Sequence, residues 1–213
     1  NTSNKHFNEL IDKIEKVAIK TKAPLLLTGP TGAGKSRLVK QIFLLKQKKR
    51  LVKGVFVEVN CATLRGDSSL STLFGHKKGS YTGAISDRNG LLLQAHEGVL
   101  FLDEIGDLGL DEQALLLSAL EEKEFFPLGS DTKVKADFQL VAGTNHDLSQ
   151  KVKEGLFRED LLARINVWSF EIPSLASRKE DIEPNIHYEV QKFEEANHQS
   201  IRFSTEALQD YLK

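Results

Sequence analysis

The chain has 213 residues, of which 40% are apolar and 28% charged, enough for one to one and a half ordinary domains with a real core. Lys plus Arg number 29 against 30 Asp plus Glu, a net charge of −1 that argues against nucleic-acid binding by bulk electrostatics. The single cysteine, Cys61, excludes an internal disulfide and a cysteine-rich metal site, and no apolar run approaches the ~20 residues of a membrane span, so the expectation is a soluble, cytoplasmic chain.

Phe7, Leu10, Ile11, Ile14, Val17 and Ala18 recur at helical spacing and predict an amphipathic helix over about 5–20. PLLLT (24–28) is a short apolar run ending in a glycine-rich turn, and helical spacing resumes from Lys35 to about Gln47. VFVEV (55–59) follows, then a turn-rich segment, GHKKGSYTGAISDRNG (75–90). GVLFLDE (98–104) ends in two carboxylates, and Asp111 is placed to cap a helix running to about Glu122. FFPLGSDTKVKADF (125–138) reads as a β-hairpin turning at Gly129–Asp131. FQLVAGTN (138–145) and VWSFEI (167–172) complete five apolar runs separated by helical stretches, the pattern of an α/β fold with a mainly parallel sheet covered on both faces. Residues 178–213 look helical, with Ser204 a plausible N-cap, and the last helix stops at Lys213 without a terminal signal. The expected organisation is a nucleotide-binding subdomain over 1–173 and the start of an incomplete helical lid over 174–213, with the chain a fragment of something longer.

GPTGAGKS (29–36) fits G-x-x-x-x-G-K-[ST] in full, between a predicted strand and a predicted helix. Glycines let backbone N–H groups turn inward around phosphate oxygens, and the helix start adds partial positive charge. Gly29, Pro30, Thr31, Gly32, Ala33, Gly34, Lys35 and Ser36 are the candidate cradle for ATP. Lys35 reaches the β- and γ-phosphates, and Ser36 sits on Mg²⁺. The competing reading is a glycine-rich turn that binds nothing.

Asp103 and Glu104 close an apolar strand at its carboxyl end, where ligands of open α/β sheets bind. Asp103 is the candidate Mg²⁺ carboxylate, and Glu104 the candidate to orient and polarise the attacking water. Alone, such a pair is more often a solvated strand end. Below a complete phosphate loop it reads as catalytic. The six histidines show no metal-ligand spacing. Cys61 reads as a small packed residue, and Trp168 as core or subunit-interface packing.

GPTGAGKS, VNCATL (59–64), LFGHKKGSYTGA (73–84), GVLFLDEIGDL (98–108), AGTNHDL (142–148) and FREDLLARINV (157–167) occur in that order. Together they resemble the AAA+ domain of bacterial enhancer-binding proteins, the activators of sigma-54 RNA polymerase, over nearly the whole chain. GSYTGA (Gly79, Ser80, Tyr81, Thr82, Gly83, Ala84) resembles that family's GAFTGA contact loop, with Ser80 for the usual Ala and Tyr81 for the usual Phe. A loop flanked by Gly79 and Gly83 can move, and an exposed aromatic suits a contact tip; the competing reading is a surface loop with a buried Tyr81.

The resemblance implies further roles. Asn60 hydrogen-bonds the catalytic glutamate, Thr144 and Asn145 sense the γ-phosphate, and the 125–138 hairpin faces a central pore. Arg158 and Arg164 reach the neighbouring subunit's site, where a guanidinium finger contributes roughly 10³–10⁵ in rate. On the residues alone, the two arginines pair with Glu159 and Asp160 as surface ion pairs. The resemblance also implies a homo-oligomeric ring, a hexamer, acting on sigma-54 and the RNA polymerase holoenzyme. DNA is held by a helix-turn-helix domain absent from this chain. Two other functions stay open: a P-loop kinase or small-molecule NTPase, and a nucleotide-gated module without turnover.

Overall fold

The computed structural model describes residues 2–64, 66 and 68–200. In chain order the elements are α1 (Lys5–Lys20), β1 (Leu25–Thr28), α2 (Lys35–Lys48), β2 (Phe56–Asn60), α3 (Ser68–Phe74), β3 (Gly75–His76), β4 (Arg88–Asn89) and α4 (Leu91–Gln94). They continue with β5 (Val99–Asp103), α5 (Leu110–Glu122), β6 (Glu124–Phe125), β7 (Val134–Lys135), β8 (Gln139–Thr144), α6 (Leu148–Lys153), α7 (Glu159–Ile165), β9 (Trp168–Glu171) and α8 (Ile182–Asn197). Contacts divide the chain into two compact units, Glu15–Ile172 and the combination of Asn1–Ile14 with Pro173–Lys213.

The larger unit is built on a parallel five-stranded sheet ordered β2-β5-β8-β1-β9, formed by the five apolar runs. Every residue of β8 is buried and β5 is buried through Leu102, as expected of inner strands with both faces covered. The edges differ. β2 alternates, and β9 is mostly exposed. Trp168, 41% exposed on that edge, is therefore outside the core of the chain. The predicted hairpin forms between β6 and β7. The helix over 110–122 begins after Gly109, so Asp111 lies in its first turn beside Glu112 and does not cap it; acids there still favour the positive helix start.

The register aligns the strand ends that matter. Asn60 lies beside Asp103, and Thr28 beside Thr144. Each apolar run thus delivers its terminal polar residue to one end of the sheet, flanking the loop that leaves β1. At the other end, Lys46, only 3% exposed, donates to Ala18 O at 2.7 Å and to Gln139 Oε1. Gln139 in turn donates to Thr21 O and Ala23 O. This network ties the last turn of α1 and the following linker to α2 and β8. Burial, with Lys22 nearby, pushes the Lys46 ammonium down to about 8.

In the smaller unit Asn4 caps α1 through Phe7 N–H, and Asp181 accepts from the backbone of Ser3 and Asn4. Arg178 forms a buried ion pair with Asp181 at 3.3 Å and lies 3.8 Å over the Phe7 ring. The C-terminal helical stretch is a short 3₁₀ turn followed by α8; the expected cap at Ser204 lies outside the described residues.

Candidate functional site

The phosphate loop bends where its glycines require it. Gly29, Gly32 and Gly34 have φ of 141°, 80° and 98°, a region that favours glycine. A Cβ at Gly29 would also strike Ile172 O. Gly34 starts α2 without a side-chain cap, so nothing of its own competes for an incoming anion at the helix start. Lys35, 5% exposed, donates to Gly29 O at 2.8 Å and Pro30 O at 3.3 Å. Its hydrogen-bond partners there are neutral carbonyls, which a phosphate oxygen can replace with gain of charge assistance.

The Ser36 hydroxyl faces Asp103 Oδ2 at 3.5 Å. Two neighbouring oxygens in an octahedral Mg²⁺ shell lie about 3 Å apart, so this hard-oxygen pair fits that ion. Burial, then the repulsion of Glu104, raises the Asp103 carboxyl above the ordinary range, against the pull of Lys35. A divalent cation between Ser36 and Asp103 would reverse the rise. Gly143 on β8 makes room for this carboxylate: a Cβ there would lie 2.5 Å from Asp103 Oδ1. Among the described residues no cluster of three His, Cys, Asp or Glu forms a separate metal site.

Glu104 sits in the left-handed region at φ 52°. Its Oε2 accepts from Asn145 N–H at 3.0 Å, while the Asn145 side chain donates to Thr31 Oγ1 at 3.1 Å. Asn145 therefore joins the hydrolytic candidate to the phosphate loop. Thr144 is buried, its oxygens accepting from Gly29 N–H and, through Oγ1, from His146 N–H. The expected bond between Asn60 and Glu104 is not formed. Asn60 Oδ1 instead accepts from Ala62 N–H at 3.0 Å, because the side chain caps the 3₁₀ turn at Cys61–Thr63. Cys61 is fully buried, and desolvation with the nearby Asp103, Asp107 and Glu104 charges pushes its thiol far up, an inert packed residue.

Arg158 and Arg164 do not share a helix face. Arg158 is the residue before α7 and Arg164 lies in its last turn. Arg158 grips Asp160 with two bonds, 2.7 and 3.0 Å, and Arg164 donates to Leu120 O. The intrachain ion pair is thus what a single chain forms, and an exposed pair of this kind exchanges readily for another anion. The Arg158 backbone is fixed by Gln113, a fully buried amide that accepts its N–H and donates to Leu108 O and Leu156 O.

The GSYTGA segment is a closed turn. Ala84 N–H donates to Tyr81 O, and Gly79 N–H to Ala84 O. Asp87 clamps the base by accepting from Lys77 Nζ and Lys78 N–H, both at 2.8 Å, and Lys77 holds its carboxyl below the ordinary range. Tyr81 is 41% exposed, its ring edge-on to His76 at 5.1 Å. The ring is thus exposed rather than buried. The 124–135 hairpin braces this loop: Leu128 N–H donates to Gly75 O, and Lys77 N–H to Leu128 O. The Ser80 side chain lies against Gly129, and its hydroxyl is buried without a hydrogen-bond partner among the described residues.

The phosphate loop and the acid pair singled out in the sequence lie together at one end of the sheet, and the GSYTGA segment forms a separate surface turn. Sequence reasoning missed Gly143, Gln113, the Asp87 clamp and the Lys46–Gln139 network. Of these only Asp87, an acid closing a lysine-flanked loop, had a readable signal.

A parallel sheet with a phosphate loop after β1, an acid pair at the end of β5 and a polar turn leaving β8, the central strand between those two, defines a P-loop nucleotide-binding fold of the AAA+ type. Residues 1–171 match the family described as the sigma-54 interaction domain. The chain belongs to that family. It is 61% identical over 211 residues to the transcriptional regulatory protein RtcR of Escherichia coli (strain K12), covering 99% of this chain and 40% of that protein. It is 43% identical to the regulatory protein AtoC of the same strain, over 87% of this chain and 40% of that one. A crystal structure of NtrX from Brucella abortus in complex with ATP superposes with a TM-score of 0.80 at 31% identity, over 93% of this chain and 44% of that one. The ADP complex gives 0.86 at 30% identity, over 99% and 46%. The chain thus spans about 40% of the length of the curated relatives it matches. Among the described residues no helix is long and apolar enough to cross a membrane.

Proposed function

We propose that this chain is the ATP-hydrolysing, sigma-54-contacting domain of a transcriptional activator that remodels sigma-54 RNA polymerase holoenzyme. Its similarity to RtcR supports an RNA-repair operon as the target. The observation that carries the reading is the presence, on one chain, of a complete phosphate site and a braced loop with an exposed aromatic tip. In this reading Gly29–Ser36 hold the triphosphate, and Lys35 leaves the loop carbonyls for the β- and γ-oxygens. Ser36 and Asp103 hold Mg²⁺, which supplies charge neutralisation at the phosphates. Glu104 takes the proton side of the attacking water, oriented through Asn145 and Thr144, with Asn60 at the adjacent strand end. Arg158 and Arg164 release Asp160 and Leu120 to serve a neighbouring copy in a closed ring, a hexamer. DNA is held by a helix-turn-helix elsewhere in the whole protein, the active compartment is the cytoplasm, and 174–213 begin a helical lid.

The paired arginines and the GSYTGA tip favour this over a small-molecule kinase, which needs neither. The test is retention of sigma-54 by immobilised chain with an ATP transition-state analogue. Wild type is expected to retain it. Lys35→Ala loses retention together with nucleotide binding, whereas Tyr81→Ala loses retention while hydrolysing ATP at near the wild-type basal rate. Undiminished retention by Tyr81→Ala would overturn the contact assignment.

A further inference from the structure

Behind the Glu104–Asn145 contact lies a second set of bonds between the same two turns. Asp107 Oδ1 faces His146 Nε2 at 3.2 Å and accepts from Lys151 Nζ at 3.2 Å. Lys151 also donates to Gly106 O at 2.7 Å. Gly106 is buried at the centre of this cluster. A Cβ there would meet Leu148 Cδ2 at 3.2 Å and His146 Cδ2 at 3.3 Å, so side chains of the second turn pack closely over this glycine. Asp107 N–H returns to Glu104 O at 2.9 Å, closing the turn that carries Glu104.

Glu104 needs such support. A non-glycine residue at positive φ is strained by about 1–3 kcal/mol and persists only when its surroundings over-determine it. Its carboxylate is partly exposed, and its one bond to the sensor turn comes from a backbone N–H whose own position depends on residues 144–148.

We propose that Asp107, His146 and Lys151 are positioning residues: together they lock the turn after β5 to the turn after β8 and so hold the Glu104 carboxylate on Asn145. The proposal rests on the reading of Glu104 as the hydrolytic carboxylate for its consequence in rate, but its geometry can be tested without turnover. None of the three touches the phosphate loop, so they act through Glu104 and Asn145.

The test is residue-resolved hydrogen exchange on the 213-residue chain. The Asn145 amide is protected by its bond to Glu104, and loss of the brace exposes it through local opening. Asp107→Ala removes both side-chain contacts at once and is expected to speed Asn145 exchange about tenfold, while Leu100–Leu102 in the sheet stay unchanged. His146→Gln, which can still donate to Asp107, is expected to exchange like wild type, and Lys151→Met to fall between. In ATP hydrolysis Asp107→Ala should lower kcat about tenfold with KM for ATP within about twofold, since phosphate contacts are intact. Asn145 exchange unchanged in both Asp107→Ala and Lys151→Met overturns the brace. If exchange behaves as expected while the wild-type chain hydrolyses no ATP, the brace stands and the reading of the site falls.

Discussion

Two buried lysines stand about three turns apart on α2, on nearly the same face. Lys35 opens the helix and Lys46 lies in its last turn; both are almost wholly covered and both donate to oxygens without a carboxylate partner. The difference is in what holds those oxygens. Lys35 bonds carbonyls of a glycine-bent loop, which can turn away. Lys46 bonds a carbonyl in the last turn of α1 and an amide, Gln139, that is itself pinned to Thr21 O and Ala23 O. The same ammonium is thus an exchangeable ligand at one end of a helix and a fixed tie at the other. Burial of a charge does not by itself mark a working residue; the freedom of its partners does.

Glu104→Ala should cut hydrolysis at least about 100-fold while leaving ATP and Mg²⁺ binding in place, separating the water side of the site from the lysine side. Mixed with an Arg158→Ala, Arg164→Ala chain, it should regain part of the activity if the site is shared between copies. No recovery in confirmed mixed assemblies would confine the chemistry to one chain. Lys35→Ala should weaken ATP binding by about 100-fold, as expected for a lost charged contact, with the melting temperature nearly unmoved. Lys46→Met should do the reverse. It leaves Ala18 O and Gln139 Oε1 without a donor, for a loss of about 1–3 kcal/mol and a fall of roughly 3–10 °C, with ATP affinity within about twofold. If the two variants behaved alike, the contrast would be void.

The smallest effect is in pH. Because the folded chain holds Lys46 near 8 against 10.5 unfolded, between those values the unfolded state keeps a proton that the folded state has shed. The Lys46 contribution to stability is therefore flat below pH 8 and rises with pH from 8 to 10.5. Lys133 runs the other way: Glu122 and Glu124 push it up to about 12, so its contribution is complete below 10.5 and fades as pH climbs through 12. Subtracting the melting curves of Lys46→Met from those of wild type between pH 7 and 10 isolates the first term. Parallel curves would mean that the carbonyls hold the charge on Lys46 throughout.

The same contrast explains what could be read in advance. Lys35 belongs to a loop whose chemistry fixes residue types at fixed intervals, and Asp103 ends a run whose burial on both faces is visible as unbroken apolarity. Both were legible. Lys46 sits in a stretch of lysines, and only the fold shows that one of them is turned beneath α1. Gly143 reads as an ordinary strand glycine until the register puts Asp103 beside it. Gly143→Ala should cost about 1–3 kcal/mol through crowding and raise the Mg²⁺ requirement, measured as the midpoint of a Mg²⁺ titration. Asn60 misled for a related reason: a strand-end amide can bond a distant carboxylate or its own next turn, and the local bond won.

The contact between Ser80 and Gly129 has a consequence for how this sequence can change over time. A Cβ on Gly129 would lie 2.6 Å from Ser80 Cβ, so the hairpin turn and the contact loop share one small volume. Neither position can drift alone. Enlargement at 129 must be answered by a smaller residue or a shifted backbone at 80, and a larger residue at 80 needs the glycine kept. Among chains of this kind the two positions should therefore vary as a pair, and a loop transplanted from a relative should work only when its hairpin turn travels with it.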